Sequence, residues 1–486
     1  MVAKQEKSLK RNAFYNVLKT VLNVVFPLIT FPYASRILLP EGIGKVNFAS
    51  TVVNYFALLG CLGIPVYGSR EAAKVRDDST LFTKLVKEIW AINITATFFS
   101  YILFFIAIFG LPRFNEYRNL LCIYSTTILF TTLGIEWIYS AVEEYKYIAI
   151  RSFIFQIISI VLLFVFVKTS DDTLKYALIV IISSFGSNIC NFIHARKYLD
   201  LKVKVKLEIK KHLKPVFIIF TKSIAVSVYT MLDVAMLGFM TNDTEVGLYT
   251  SANKIVHVVL SLIVAATAVF MPRLSYYAEQ DRDKKFNNLL RKCWNYMLCF
   301  AIPASLGLFL IAEPLLLIFS GEKFLGSVII MKIMSPLLCI LALSNFTGIQ
   351  IFIPLRKEVN ILYATIIGAV INFTVNLILI PIYGAQGAAL SSVIAESIVT
   401  MSQLFMARKY FCYKDNIKPV IQYIFGTLLF SIPVILICNF VNSIILKIIL
   451  SIISASIIYI AFLGIVKNQV FLEVINLIKN KKRNEV

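Results

Sequence analysis

Charge is scarce in this chain. Only 15% of its 486 residues are Asp, Glu, Lys or Arg, against about 25% in a soluble domain. Hydrophobic residues make up 58% and the mean hydropathy is +0.79, so a water-soluble fold of this length would lack the polar surface to cover itself. Histidine is rarer still, with three residues, His194, His212 and His257. Neither a Ser/His/Asp grouping nor a paired-carboxylate motif is visible, which argues against an enzyme. The eight cysteines lack CxxC or Cys/His ligand spacing and read as small buried hydrophobes. No metal or cofactor is expected. The basic start (Lys4, Lys7, Lys10, Arg11) leads into an apolar run that continues through Pro27 and Pro32 to Arg36 without a small-residue cleavage site. It therefore reads as a first span, not a cleaved signal.

What the chain has is a succession of apolar runs of about 20 residues, each long enough to cross about 30 Å of hydrocarbon. Fourteen spans are expected: 13–36, 46–66, 88–110, 120–140, 150–168, 174–194, 215–238, 247–271, 293–312, 328–350, 360–381, 385–406, 418–438 and 444–466. The net charge of +21 forms no stripe that would suit nucleic acid; it collects in the breaks. With the N-terminus placed in the cytoplasm and span-edge residues counted with the adjoining connection, the inner connections hold 36 Lys and Arg and the outer ones 8. That asymmetry predicts an even number of spans with both termini inside. No outer connection exceeds about 16 residues, by the same span boundaries.

The longest basic connection, Arg196 to Lys214 with Lys202, Lys204 and Lys206, divides the spans six and eight. Six is even, so two six-span halves would share one orientation. An offset of 203 places Lys19 on Lys222, Gly44 on Gly247 and Ala49 on Ala252. Asn12, Asn16, Lys19 and Asn23 lie at i, i+4, i+7 and i+11, one stripe on a helix. Asn47, Thr51 and Asn54 repeat the spacing in span 2. Thr250, Lys254 and His257 repeat it in span 8, extended by Ser261, and Lys222, Tyr229 and Asp233 share a face of span 7. The expected domains are an N-lobe over 1–199, a basic cytoplasmic linker over 200–214, a C-lobe over 215–411, and two further spans with a cytoplasmic tail over 412–486. The two lobes are expected to face each other across a cavity.

A charge at the centre of a span costs about 2.5–3.5 kcal/mol on insertion scales, so it needs water, a partner or a ligand. Four lysines fall within spans: Lys19, Lys222, Lys254 and Lys332. Lys332 sits near a span end and can snorkel, as can Lys19 or Lys254 if those spans are shorter. Lys19 and Lys222 share their helix faces with other polar groups, which favours a cavity lining. Two acids, Asp233 and Glu396, are read as intramembrane. Glu396, near Ser392 and Gln403, is either a structural, hydrogen-bonded carboxyl or a protonatable site for H+ or Na+ coupling. Buried charge that is mainly cationic suits an anionic substrate.

The stretch Pro32-Tyr33-Ala34-Ser35-Arg36-Ile37-Leu38-Leu39-Pro40-Glu41-Gly42-Ile43-Gly44-Lys45-Val46-Asn47-Phe48-Ala49 resembles the start of Wzx-type polysaccharide and O-antigen flippases of the MOP (MATE-like) superfamily. So do Leu62-Gly63-Ile64-Pro65 through Lys74, Asp233 through Gly238, Glu245 through Lys254, and Pro381 through Glu396. The resemblance runs nearly end to end. It implies an all-α transporter with two six-helix lobes, moving an undecaprenyl-diphosphate-linked oligosaccharide between leaflets. A polysaccharide polymerase and glycosyltransferases are the expected partners. Carried over by motif, Arg36, Arg70, Asp233, Lys254 and Glu396 become candidate functional positions. Three alternatives remain: a drug or cation exporter of the same fold, a lipid II flippase, and a membrane-embedded polymerase or glycosyltransferase. The first would want acidic or aromatic groups in the spans. The third needs a large outer loop or an acidic catalytic motif.

Overall fold

The computed structural model describes residues 9–200, 206–280, 283–413, 417–473 and 475–476, with side chains for nearly all of them. It is all helical, with no strand among the described residues. The chain divides into two compact units, Met1–Gly247 and Leu248–Val486.

The first unit holds α1 (Leu9–Cys61), α2 (Ile64–Val75), α3 (Ser79–Gly110), α4 (Arg118–Gly134), α5 (Glu136–Ala141), α6 (Tyr145–Phe166), α7 (Thr173–Ile181), α8 (Ser187–His194), α9 (Lys210–Met240) and the start of α10 (Asp243–Ala268). A π-helical turn, Ile182–Gly186, joins α7 to α8. The second unit continues α10 and adds α11 (Met271–Glu279), α12 (Asp283–Leu310), α13 (Ala312–Phe319), α14 (Ser327–Met334) and α15 (Leu337–Asn345). After the π-helical segment Phe346–Phe352 come α16 (Glu358–Ala407), α17 (Ile417–Phe440) and α18 (Ile444–Ile465).

Polarity runs opposite to that of a soluble protein. Phe98, Phe99, Ile106 and Phe109 of α3 are exposed, as are Ile445, Ile457 and Ile465 of α18. Asn93, Thr97 and Ser100 on the other face of α3 are buried. Asn93 donates to the Gly60 carbonyl at 2.8 Å, and Thr97 bonds Thr132 of α4. Apolar groups outside and hydrogen-bonded polar groups inside are what hydrocarbon demands, because a polar group facing lipid finds no partner. The chain is a multi-pass α-helical membrane protein.

Ten helices among the described residues are long and apolar enough to cross a membrane, or eleven if the bent pair α14 and α15 with its π-helical end forms one span. Fourteen are thus not reproduced by length and apolarity alone. Two of the ten are double-length. At 1.5 Å per residue the 53 residues of α1 would extend about 80 Å, more than twice the hydrocarbon thickness. α1 breaks at Leu39 (φ 60°, ψ 176°), next to Pro40. α16 breaks at Gly384 (φ 54°, ψ −129°), a conformation open mainly to glycine. A Cβ on Gly387 would lie 2.2 Å from the carbonyl oxygen of Leu379, eight residues earlier, so the chain folds back there.

The glycine pair aligned by the 203-residue offset makes a second close approach. A Cβ on Gly44 would fall 1.7 Å from the Asp243 carbonyl oxygen, and one on Gly247 would fall 1.9 Å from the Pro40 carbonyl oxygen. The two segments therefore cross backbone against backbone. Around this crossing Tyr117 donates to Asp243 at 2.6 Å, and Arg113 donates to the Gly238 and Thr241 carbonyls.

At the other end of the unit, the connection leading into α9 is pinned by a buried charge. Glu88 is fully buried in α3 and takes a hydrogen bond from the Glu208 backbone N–H at 2.7 Å. His212 Nε2 lies 2.8 Å from Glu88 Oε2 and Lys211 Nζ 3.2 Å from it, while Tyr67 Oη is 2.7 Å from His212 Nδ1. A neutral His212 that donates through Nε2 and accepts from Tyr67 through Nδ1 satisfies every group in the chain. The predicted solvated linker is thus anchored at its C-terminal end; Lys202 and Lys204 lie outside the described residues. Glu88→Ala leaves His212 and Lys211 without their buried acceptor, a loss of about 3–5 kcal/mol. The midpoint of thermal unfolding in detergent should fall by on the order of 10 °C. A shift of a degree or less would reduce this network to surface decoration.

Candidate functional site

The site grows from a break in α4. The helix ends at Gly134, and Ile135, buried in the core with Trp137, Ile138 and Tyr139, takes the left-handed conformation (φ 35°, ψ 34°). That region is a true outlier for a β-branched residue. It is held because the carbonyls freed by the break find donors: Asn188 bonds Phe130 O at 2.9 Å, Asn191 bonds Gly134 O at 2.8 Å, and Trp90 bonds Thr132 O at 3.3 Å. The turn puts Glu136 first in α5, inside an otherwise apolar segment.

Glu136 bridges two cations. Its Oε1 pairs with Lys19 of α1, and its Oε2 lies 3.1 Å from Arg151 Nη2 of α6. The polar stripe of α1 is therefore a single face laid along α5 and α6. Asn12 donates to Glu143 Oε2 at 3.2 Å, and Asn23 accepts from Gln156 at 3.0 Å. Glu143 is also held by Arg76 at 2.5 Å. Behind Arg151 stands an aromatic stack: its guanidinium lies 5.7 Å from the Tyr147 ring, which stacks on His194 at 4.3 Å.

The distribution of charge and exposure in this trio is uneven. Two cations and one carboxylate carry a formal +1. Arg151 is 6% exposed, Lys19 27% and Glu136 38%. Arg151 Nε and Nη1 are both buried with no hydrogen-bond partner among the described residues. Each such orphan donor costs about 1–3 kcal/mol, so the guanidinium is held at a cost that an additional acceptor would relieve.

Lys19, expected to line a cavity, has an acid partner beside it in Glu136. Reading only Asp233 and Glu396 as intramembrane acids missed Glu136. Arg151 was assigned to the neighbouring connection although it begins the apolar run of α6. The available signal was Glu136 itself, an acid sixteen residues into the run 120–140, with an Arg fifteen residues later.

The other candidates are dispersed. Arg36 is exposed on α1 and donates to Pro32 O at 2.6 Å. Arg70 is exposed on α2, 3.1 Å from Glu71 and 5.9 Å from the Tyr67 ring. Asn54 on α1 and Asp233 on α9 are half-buried. The side chain of Lys222 lies outside the described residues. In the second unit Lys254 is half-buried and His257 exposed on α10, and Glu396 is half-buried on α16. The two polar groups expected beside Glu396 have bonds of their own: Ser392 with Tyr249 at 3.1 Å, and Gln403 with Thr347 at 2.6 Å and Ser344 at 3.2 Å. Among the described residues no group of three His, Cys, Asp or Glu is placed to hold a metal.

Solved structures share this all-helical membrane fold. Lipid II flippase MurJ, in an inward closed conformation, superposes with a TM-score of 0.76 at 18% identity, covering 94% of this chain and 99% of that one. An inward-facing multidrug resistance MATE family transporter of the MOP superfamily gives 0.60 at 14% identity, covering 80% and 94%. The protein is a membrane transporter and not an enzyme. More particularly, it belongs to the polysaccharide biosynthesis protein family, whose sequence model matches residues 9–278, and the MatE model matches residues 219–378. A protein of Escherichia coli (strain K12) named for O-antigen transport is 26% identical over 82% of this chain and 97% of its own. The capsular polysaccharide biosynthesis protein CapF of Staphylococcus aureus is 22% identical over 82% and 100%.

Proposed function

We propose that this transporter is a flippase for an undecaprenyl-diphosphate-linked oligosaccharide, an O-antigen, capsule or exopolysaccharide repeat unit, which it carries from the inner to the outer leaflet of a bacterial cytoplasmic membrane by alternating access. Membership of the polysaccharide biosynthesis family carries the reading. The Lys19–Arg151 pair supports it, because a diphosphate needs cations inside an apolar path and Arg offers several donors in one plane. Both termini face the cytoplasm in this proposal, as the 36-to-8 distribution of basic residues between connections favours. The 203-residue offset supports two six-helix halves, and the two double-length helices together with α9 and the bent pair support fourteen spans. Lys222, the repeat partner of Lys19, and Lys254 extend the cationic path. Arg36 and Arg70, exposed near helix ends, receive and release the headgroup. Glu396 is the coupling site for H+ or Na+, and a polymerase and glycosyltransferases are the partners that consume and supply the glycan.

Reconstitution tests this. Vesicles carrying the purified chain and a fluorescent undecaprenyl-diphosphate oligosaccharide should expose the label to an impermeant quencher far faster than empty vesicles. Lipid II with the same label should move slowly. Equal movement of both would make the protein a general carrier of diphosphate-linked lipids, and movement of neither would end the flippase reading. In the same vesicles an inward-directed ion gradient should change the rate, and Glu396→Gln should lose that response; an unchanged response removes Glu396 from coupling.

A further inference from the structure

Glu136 uses both of its oxygens on cations that have unequal claims on it. Lys19 reaches it from α1 and Arg151 from α6. The arginine is the buried partner, with Nε and Nη1 unsatisfied, whereas the carboxylate is the most exposed of the three. Neither oxygen of the carboxylate bonds those two donors. A diphosphate has several oxygens, with more negative charge and a tetrahedral spread that can meet a guanidinium on two edges and an ammonium together. It would also repel Glu136, which is the most exposed of the three and needs only a side-chain rotation to leave.

We propose that Glu136 is an internal stand-in for the substrate's diphosphate: the lipid-linked diphosphate displaces its carboxylate from Lys19 and Arg151 and takes both cations over. This deepens the flippase reading and rests on it for the ligand's identity. The exchange has a mechanical consequence. The Lys19–Glu136 pair ties α1 to α5, so substrate binding breaks a strut between two helices while forming a new contact between α1 and α6. A ligand shifts a conformational equilibrium only through such differential contacts. Lys19 without an internal acid would offer no strut to break.

The test is binding by the full purified chain in nanodiscs. Undecaprenyl diphosphate is the probe, inorganic pyrophosphate tests the bare headgroup, and phosphatidylglycerol of matched charge controls for bulk lipid. Glu136→Gln removes the competitor and should tighten undecaprenyl diphosphate and pyrophosphate by about tenfold, with phosphatidylglycerol unchanged. Adding Arg151→Gln to it should return affinity to wild type or below. Glu136→Asp, too short to span both cations, should tighten by a few-fold and serves if the Gln variant is unstable. Unchanged or weakened binding of both probes by Glu136→Gln and Glu136→Asp overturns the proposal, as does a gain that survives removal of Arg151. A gain for pyrophosphate by a chain that moves no lipid-linked glycan leaves the anion exchange standing and the flippase reading fallen. Transport by wild type without any gain in the variants does the reverse.

Discussion

Gly44→Ala should leave almost no folded protein in the membrane. The added methyl would lie 1.7 Å from the Asp243 carbonyl oxygen and 3.0 Å from the Gly247 nitrogen, both backbone atoms that no rotamer change can clear. Relief requires α1 and the start of α10 to separate by more than 1 Å. That would strain the neighbouring Tyr117–Asp243 bond and the Arg113 bonds to Gly238 and Thr241. Over-packing alone costs about 1–3 kcal/mol where side chains can yield, and here they cannot. Gly247→Ala should fail in the same way, against Pro40. Gly307→Ala is the control: it lies within α12, and beyond its own helix backbone no atom of the described residues comes inside 4 Å of the new methyl, while Ala favours a helix over Gly by about 1 kcal/mol. Membrane abundance and thermal unfolding of the three variants decide the matter. Normal abundance of Gly44→Ala would mean the crossing is looser than described.

An offset of 203 residues aligns Gly44 with Gly247 in the sequence, but their mutual contact was not legible, since an offset compares positions without placing them. The α1 stripe was legible for a geometric reason: residues spaced i, i+7 and i+11 must share a helix face, and Asn12, Lys19 and Asn23 do find partners along one wall. The partners themselves escaped. Glu136 sits past a break that no proline marks, and the left-handed Ile135 depends on donors from α3 and α8 that are distant in sequence. Arg151 was hidden by its place at the edge of an apolar run, where a basic residue ordinarily reports topology. Glu88 and His212 stand 124 residues apart, each beside a basic connection, and only the fold gives them a common pocket. Sequence thus reveals which spans carry polar faces, while the pairing between faces is a property of tertiary structure.

That pairing makes the transport prediction sharper than loss of one lysine. Removing Lys19 alone would leave Glu136 held by Arg151, and removing Arg151 alone would leave it held by Lys19, so either result would mix lost substrate contact with an unbalanced acid. The triple variant Lys19→Gln, Glu136→Gln, Arg151→Gln removes all three charges together and keeps polar groups able to hydrogen-bond one another. Only Arg151 of the three is buried, and neutralising all three together leaves no uncompensated buried charge, so the variant should reach the membrane in normal amount. Its unfolding midpoint should stay close to wild type. Its substrate, however, would lose two charge-assisted contacts to the diphosphate, each worth about 1.5–3 kcal/mol. Together they predict a fall in glycan translocation of about 10²- to 10⁴-fold. Surface glycan in cells and label movement in vesicles read the same quantity at two levels. If the neutral trio exported glycan within a factor of three of wild type, the cations of this unit would be structural, and the diphosphate would have to be held elsewhere along the path.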